Sequence, residues 1–454
     1  MDKSQKNKVQ LALNEVGFYR ILQNLDAIAD QGQIMARNAG TPNTPAFEAF
    51  PSFIPVQSSA PSCPCLLTID IGGTSTKAGV RLTEGGFQDW KLLFELKNLD
   101  LQDVQFKDNA FDAFCKILAN HVERGLVSAG IPKEEVSACG IVWSNAMENK
   151  QWNSIGVTGV VTQLEKYKKG EWFNAGLANG RDIGEDFLKA LKRRKLPIKK
   201  MLIANDTPLT LKATPGAVAG MVASTGLNAT LLKSAKELGI GENTDLLICN
   251  AEMGGRFILD PTLLTPFDKI SSTQIANTIE SLTTGNFLPM LFTSYINSYQ
   301  ELGLLELAPV KDHLDELEDS AWEEFRSKDL SLLLHDQSFF LRRRTKRKIY
   351  NDAVLDVLAC LTEELIIRSA QLCAIIAASS VANLPISEQA HVISLDSRLA
   401  REIPLFWKVL TNSLEQKHYF GQKLELNLVK PIELEAGKVS VPMIGVAHGI
   451  DSLS

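Results

Sequence analysis

Apolar residues along this chain follow two spacings, one typical of buried strands and the other of amphipathic helices. Short apolar runs predict strands at residues 66–70, 137–144, 200–204, 246–250, 391–395, 424–429 and 441–444. Apolar residues three or four positions apart predict helices over residues 9–37, 111–129, 182–194, 286–307 and 354–372. The chain is therefore expected to build its core from both helices and strands.

The strand at residues 66–70 ends in Asp70 and is followed by Gly72 and Gly73. Glycines lack Cβ atoms, so the backbone can turn sharply there and approach a ligand closely. The groups after the turn are Thr74, Ser75, Thr76 and Lys77. Backbone N–H groups in such a turn can face an anion, and Asp70 offers an oxygen ligand suited to Mg²⁺. The hairpin predicts a Mg-nucleotide phosphate site, with an ordinary Gly-Gly-Thr turn as the alternative.

A second hairpin, at residues 219–232, repeats this arrangement of apolar run, small-residue turn and apolar run. Its turn contains Ser224, Thr225 and Gly226. Two such hairpins indicate a duplicated architecture that holds a nucleotide from two lobes, unless the two turns are unrelated. The strand at residues 200–204 delivers Asn205 and Asp206 to its carboxyl end, where open α/β sheets place ligands.

Composition narrows the class of protein. With 454 residues, 45% hydrophobic and 22% charged, the chain has the profile of a soluble protein of two or three lobes. Its net charge of −6 predicts no general affinity for nucleic acid or anionic membranes. Seven scattered cysteines and no signal-peptide segment at the N-terminus predict a cytoplasmic location with reduced thiols.

Five motifs follow one another along the chain: residues 49–54, residues 69–74 with Lys77, residues 180–207 ending in Asn-Asp-Thr, residues 224–229, and residues 250–254. In this order and spacing they resemble the eukaryotic-type hexokinase family of the actin-like sugar kinase superfamily. The resemblance implies an α/β, two-lobed actin-like ATPase (ribonuclease H-like) fold, with mixed sheets flanked by helices and a central cleft. It further implies an N-terminal helix and connector (1–48), a small lobe (49–204) and a large lobe (205–454) that contains the adenosine region.

The activity implied by the resemblance is transfer of the γ-phosphoryl group of ATP to the 6-hydroxyl of glucose or a related hexose, the first step of glycolysis. The implied catalytic residues are Asp206, as general base, and Lys77. The implied sugar contacts are Ser144, Asn205, Asp206, Asn228 and Glu252. The implied nucleotide contacts are Asp70, Gly72, Gly73, Thr74, Ser75, Lys77, Ser224, Thr225 and Gly226, with Mg²⁺ as cofactor at Asp70. The expected partners are hexose and ATP, and the expected assembly is a monomer or homodimer.

The chain departs from the family pattern in several places. Asn145-Ala146 replaces Phe-Pro after the sugar serine, Lys77 replaces arginine, a Thr-Lys pair is missing near residues 169–173, Met290 replaces a glutamate, and the adenosine segment is reduced to Asp396-Ser397 and residues 444–447. These changes keep open the alternative of a catalytically weak, sugar-binding regulatory protein. An actin-like ATPase assembly protein is a third interpretation, but it has no need for Asn205, Asp206 and Glu252 together.

Overall fold

The structure is a computed structural model that describes residues 2–41, 44–57, 59–72, 75–84, 87–97, 110–144, 147–152, 154–162, 180–268, 277–317, 325–343, 347–417 and 419–453. Its helices are α1 (Lys3–Glu15), α2 (Arg20–Gln23), α3 (Leu25–Arg37), α4 (Ala110–Ser128), α5 (Ile183–Arg193), α6 (Asp206–Lys212), α7 (Met253–Arg256), α8 (Ile279–Thr283), α9 (Leu288–Asn297), α10 (Ala308–Asp315), α11 (Ser327–His335), α12 (Gln337–Arg343), α13 (Asp352–Ser379), α14 (Arg398–Glu402), α15 (Pro404–Lys417) and α16 (Val441–Ser452). Its strands are β1 (Phe50–Pro51), β2 (Cys65–Ile71), β3 (Ser75–Glu84), β4 (Phe87–Lys97), β5 (Ala138–Trp143), β6 (Met147–Trp152), β7 (Gly156–Val161), β8 (Lys200–Ala204), β9 (Ala219–Ala223), β10 (Leu227–Ser234), β11 (Leu246–Asn250), β12 (His391–Asp396), β13 (Leu424–Leu428), β14 (Ile432–Leu434) and β15 (Gly437–Val439).

The strands form two large sheets and one small ribbon. The first sheet has the order β4-β3-β2-β5-β8-β7-β6, the second β1-β11-β10-β9-β12-β13, and the ribbon is β14-β15. In the first sheet, β2 pairs antiparallel with β3 and parallel with β5. In the second, β9 pairs antiparallel with β10 and parallel with β12. Each large sheet therefore combines a hairpin with a parallel neighbour, which agrees with the duplicated architecture predicted from the two hairpins.

The predicted helix over residues 9–37 is wrong as a single element, because the chain turns between α1 and α2. Gly17 has φ +81°, a left-handed conformation that glycine adopts without strain. The three N-terminal helices share a core with the second sheet, which we call the second lobe, and there α1 and α3 contact α13. There the Arg368 guanidinium lies 4.2 Å from the Phe18 ring centroid and forms a fully buried ion pair with Asp268.

The segment between β1 and β2 connects the two sheets. Phe50 pairs with Asn250 of β11, and the Ser52 amide donates to the carbonyl of Ile248 at 2.8 Å. Further on, the buried Lys212 ammonium at the end of α6 donates to the carbonyls of residues 55, 56 and 57 at 2.9–3.2 Å. The connector is thus fixed to the helix that begins at Asp206.

The predicted strand at residues 441–444 is wrong, because α16 begins there. An apolar run this short is compatible with either element, and Pro442 is well accepted in the first turn of a helix. The helix packs so closely on α6 that a Cβ at Gly445 would lie 1.7 Å from the carbonyl oxygen of Leu209. Although residues 205–454 were assigned to the large lobe, α16 contacts β5 of the first sheet. That assignment of lobe boundaries stays a prediction.

Helix α13 runs through the core of the second lobe. It is 28 residues long, and both its faces are largely buried. Within the part of the chain that the structure describes, no helix has the length and apolar character required to cross a membrane.

Candidate active site

Three carboxylates from separate elements lie within electrostatic range of one another. Asp70 precedes the last residue of β2, Asp206 opens α6 directly after β8, and Asp396 ends β12. Burial raises the pKa of Asp70 to about 6, and the charges of Asp206 and Asp396 contribute to the rise. Burial, with a contribution from Asp206, likewise raises the pKa of Asp396. The first sheet therefore supplies two of these groups and the second sheet supplies one.

Asp206 is positioned by hydrogen bonds at the start of α6. The Thr207 amide donates to Asn205 Oδ1 at 3.0 Å, so Asn205 caps the helix. Asn205 Nδ2 also donates to the carbonyl of Trp143 at 3.4 Å, which ties the cap to the end of β5. Thr207 Oγ1 donates to Asp206 Oδ1 at 3.2 Å. Asn205 is therefore placed as a structural cap as well as beside the predicted base.

Ser144 follows β5 and lies between the two first-sheet carboxylates in strand order. Its amide donates to the carbonyl of Ile71 at 3.3 Å, which joins the end of β5 to the end of β2. Asp70, Ser144 and Asp206 thus stand at the carboxyl ends of β2, β5 and β8, which are parallel neighbours. The structure brings these predicted residues to one edge of the first sheet.

The first hairpin places Lys77 opposite Asp70. The two residues are paired in the strand register, and the Lys77 charge counteracts the rise of the Asp70 pKa. Lys77 Nζ also lies 3.2 Å from a carboxylate oxygen of Glu95 on β4. At the turn, the Gly72 amide donates to the Ser75 carbonyl at 3.1 Å. The predicted phosphate contacts Gly73 and Thr74 lie outside the described residues.

The second hairpin is tied to the segment that follows Asp396. The Ser224 amide donates to the Gly226 carbonyl at 3.0 Å, while Thr225 is exposed at the tip. Ser224 Oγ accepts from the Arg398 amide at 3.0 Å, and Ser397 Oγ donates to the Ala223 carbonyl at 2.6 Å. The turn of the second hairpin and the reduced adenosine segment therefore form one structural unit.

Asn228, Asn250 and Glu252 form a hydrogen-bonded group that we call the amide cluster. Asn228 Nδ2 donates to Asn250 Oδ1 at 2.7 Å and to Glu252 Oε1 at 3.3 Å. Asn250 Nδ2 donates to Glu252 Oε1 at 2.8 Å. Glu252 has φ +49°, a left-handed conformation that typically costs about 1–3 kcal/mol for a non-glycine residue and often marks a functional site.

Strand register relates the amide cluster to the carboxylates. Asn228 pairs with Val222 across β10 and β9, and Val222 pairs with Asp396 across β9 and β12. Directly paired residues project to the same face of a sheet, and neighbouring strands lie about 4.8 Å apart. Asn228 and Asp396 therefore share one face at a Cα separation of about 10 Å. Asp396 in turn interacts with Asp206 across the two sheets.

Several residues that contact the site were not among those predicted from the sequence. Asn250 and Asp396 were recognised within motifs but not as site residues, and Ser440, which donates to Asp70 Oδ2 at 2.5 Å, carried no sequence signal. Of the positions that depart from the family pattern, Met290 lies partly buried in the first turn of α9. The departures at residues 145–146 and 169–173 lie outside the described residues. Among the residues described, no three His, Cys, Asp or Glu side chains are grouped closely enough to hold a metal ion.

Comparisons with known proteins agree with this architecture. Residues 218–438 match the family model described as hexokinase. A curated relative, hexokinase-5 of Oryza sativa subsp. japonica, is 24% identical over 288 residues, which are 60% of this chain and 54% of the rice protein, so the match spans about half of that relative's length.

Two solved structures share the fold over nearly the whole chain. A hexokinase from Schistosoma mansoni in complex with glucose has a TM-score of 0.73 at 16% identity, with 98% of this chain and 99% of that chain covered. A second hexokinase structure has a TM-score of 0.70 at 16% identity, with 99% and 100% covered. The predicted two-lobed actin-like fold, with mixed sheets flanked by helices, is thereby confirmed.

Proposed function

We propose that this chain belongs to the hexokinase family and is an ATP-dependent hexose kinase, which transfers the γ-phosphoryl group to the 6-hydroxyl of glucose or a related hexose, as in the first step of glycolysis. The five motifs predicted this family, and the match of residues 218–438 to the hexokinase family model supports it. The observation that carries the proposal is that Asp70 and Asp206 interact electrostatically with Asp396, which shares a sheet face with Asn228 of the amide cluster. The glucose-bound relative supports a hexose as the acceptor.

The carboxylates fit a magnesium ion that arrives with the nucleotide. Asp70 and Asp396 have raised pKa values in part because Asp206 is near, and a cation beside them would relieve that repulsion. Mg²⁺ keeps several waters and takes only one or two carboxylates in addition to phosphates, so a cage of protein ligands is unnecessary. Asp70 would hold the ion through water, and the bound ion neutralises charge that develops on the phosphate oxygens.

The nucleotide phosphates would lie between the two hairpins. The second hairpin is exposed at Thr225, and on the first hairpin Lys77 adds a positive charge beside Asp70. Phosphoryl transfer depends on positioning and charge stabilisation more than on covalent chemistry. Two hairpins attached to different sheets suit that requirement, because each lobe then holds the triphosphate from its own side.

Asp206 would accept the proton of the attacking hydroxyl. A general base typically contributes roughly 10²–10⁴-fold to the rate. Ideal alignment of the hydroxyl with the γ-phosphoryl group can contribute about 7–11 kcal/mol, so positioning outweighs the base. The Asn205 cap and the Thr207 hydroxyl restrict the Asp206 side chain and thereby serve that alignment.

The amide cluster would bind the sugar. A hexose is polar on every side and needs both donors and acceptors, which two asparagines and a glutamate supply. Because these groups already orient one another at 2.7–3.3 Å, sugar hydroxyls can join the network without much side-chain ordering. Ser144 and Asn205 at the edge of the first sheet would contact the sugar from the opposite lobe.

All seven cysteines are buried and outside disulfide bonds, which supports a reducing compartment such as the cytoplasm. The assembly state stays a prediction of monomer or homodimer.

The experiment that tests the proposal is a coupled ADP assay of the purified chain with Mg-ATP and a panel of glucose, mannose, fructose, galactose and glucosamine. We expect at least one hexose to give ADP and hexose 6-phosphate in equal amounts. Sugar binding in calorimetry with no turnover for any hexose would favour the regulatory alternative. ATP hydrolysis that no sugar affects, together with filament formation, would favour an assembly ATPase.

A further inference from the structure

We propose that Ser440 is a positioning residue that fixes the carboxylate of Asp70 for the metal-nucleotide complex, an inference that rests on the proposed function. Ser440 Oγ donates to Asp70 Oδ2 at 2.5 Å, across 370 positions of sequence. A hydroxyl-to-carboxylate bond of this length is charge-assisted and is among the stronger hydrogen bonds in proteins. The contact joins the C-terminal segment to the first phosphate hairpin.

The Ser440 side chain does not form the hydrogen bond that other N-cap side chains of this chain form with their helices. Ser440 occupies the N-cap position of α16, yet its side chain accepts no hydrogen bond from the first turn of that helix. By contrast, the Asp182 and Asn351 side chains accept such bonds at the starts of α5 and α13. The Ser440 hydroxyl is thus directed to the carboxylate, and its role is separate from helix capping.

The helix behind Ser440 is held firmly in place. Near its other end, Asp451 forms a buried ion pair with Arg81 of β3 at 2.6 Å. In the middle, Gly445 allows close contact with the carbonyl of Leu209 in α6. Since α6 begins at Asp206, α16 contacts the element that presents the base and also holds Asp70 through Ser440. The C-terminal helix therefore sets the separation of the two carboxylates.

The chemical consequence is orientation of one carboxylate oxygen. With Oδ2 held by Ser440, the rotation of the Asp70 carboxylate is restricted and Oδ1 takes a defined direction. Groups that orient a metal-binding carboxylate in this way typically change metal affinity or activity by about 10–100-fold when removed. We expect the effect to fall on the metal-nucleotide complex and to leave the sugar side unchanged, because the amide cluster belongs to the other sheet.

The test compares the full-length wild type with Ser440→Ala, Ser440→Gly and Ser440→Thr. Ser452→Ala is the matched control, because Ser452 lies on the same helix and donates to the His448 carbonyl. Calorimetry would measure Mg-ADP affinity, and kinetics would give kcat and the KM values for Mg-ATP and hexose. We expect Ala and Gly to weaken Mg-ADP binding at least tenfold and to raise the KM for Mg-ATP alone. We expect Thr, which keeps the hydroxyl, to remain within about threefold of the wild type and the control to match it.

The outcomes separate this inference from the proposed function. Wild-type Mg-ADP affinity in both Ser440→Ala and Ser440→Gly would overturn the role of Ser440, as would equal losses in Ala and Thr. Glycine is well tolerated at N-caps, so Ser440→Gly keeps the test valid if the alanine variant folds poorly. If the wild type phosphorylates no sugar, the proposed function fails, but the Mg-ADP affinities still decide whether Ser440 positions Asp70.

Discussion

The two halves of the site satisfy their polar groups in opposite ways. In the amide cluster, two amide groups and one carboxylate bond to one another at 2.7–3.3 Å. The carboxylates Asp70, Asp206 and Asp396 repel one another, and each bonds to a separate residue: Ser440, Thr207 and Arg401. One half is oriented by mutual hydrogen bonds, whereas the other carries negative charge that a cation would balance.

The difference assigns a ligand to each half. Mutual amide bonds suit a neutral, polyhydroxylated ligand, since hydroxyls can replace or extend them with little electrostatic cost. Carboxylates within electrostatic range of one another suit a divalent cation that arrives with the nucleotide, because each charge disfavours ionisation of its neighbours. Replacing Asp70 should therefore change the binding of Mg-nucleotide alone, and replacing a member of the amide cluster should change the binding of hexose alone.

The largest effect is expected for Asp206→Ala, which removes the proposed base. The turnover number should fall roughly 10²–10⁴-fold, while the fold stays intact because the Asn205 cap of α6 is retained. A coupled ADP assay measures the rate, and Asp30→Ala on the exposed side of α3 is the control. Near wild-type turnover would remove Asp206 from the mechanism.

The variant Asp70→Asn should use Mg-ATP less well than the wild type and yet be more stable. We expect the KM for Mg-ATP to rise about 10–100-fold and the hexose KM to stay constant, because only the metal side loses a charge. The same variant should unfold less readily at pH 7.5. The asparagine oxygen can still accept the hydrogen bond from Ser440, and the neutral amide avoids the cost of removing a carboxylate charge from water.

The pH dependence of that stability change follows from the direction of the pKa shift. The folded pKa of Asp70 is about 6, above the ordinary value of 3.8, so the folded state binds more protons between these values and the wild type loses stability as pH rises through them. The gain for Asp70→Asn should be absent below pH 4 and complete above pH 6. Because Asp70 is partly exposed, we expect about 1–2 kcal/mol, measured by urea unfolding. A gain that is equal at pH 3.5 and pH 7.5 would contradict this origin.

The smallest of the three effects is expected for Asn250→Ala, which removes two bonds from the amide cluster. The hexose KM should rise about tenfold, equivalent to about 1.4 kcal/mol, with Mg-ADP affinity unchanged. Asn243→Ala, in the exposed loop before β11, is the matched control. If calorimetry shows equal losses for sugar and Mg-ADP, the division of the site into two halves is wrong.

The two halves also differ in how far the sequence could predict them. Asn228, Asn250 and Glu252 lie within 25 positions, the asparagines on adjacent strands and Glu252 just after the second strand, so local motifs identified this region. The Ser440–Asp70 bond spans 370 positions and depends on the packing of α16, which no local pattern contains. The wrong strand at residues 441–444 has the same cause, because a short apolar run does not reveal what it packs against.

The prediction of strands succeeded where the strand is buried and failed where most of its residues are at least partly exposed to solvent. The helices α4, α5 and α13 and the buried strands β2, β5 and β8 agree with their predicted positions. Strands β4 and β6 were not predicted, since most of their residues are exposed or only partly buried and form no apolar run. The sequence therefore predicted β2, β5 and β8, which carry the site, and missed β4 and β6 at the two edges of the first sheet.

The most direct test of a two-substrate site is the transfer of a labelled γ-phosphoryl group from Mg-ATP to the hexose preferred in the panel. We expect the label to appear in hexose 6-phosphate with the wild type, with little inorganic phosphate released. Label released as inorganic phosphate at a rate that sugar does not change, or label that remains in ATP, would contradict a hexose kinase.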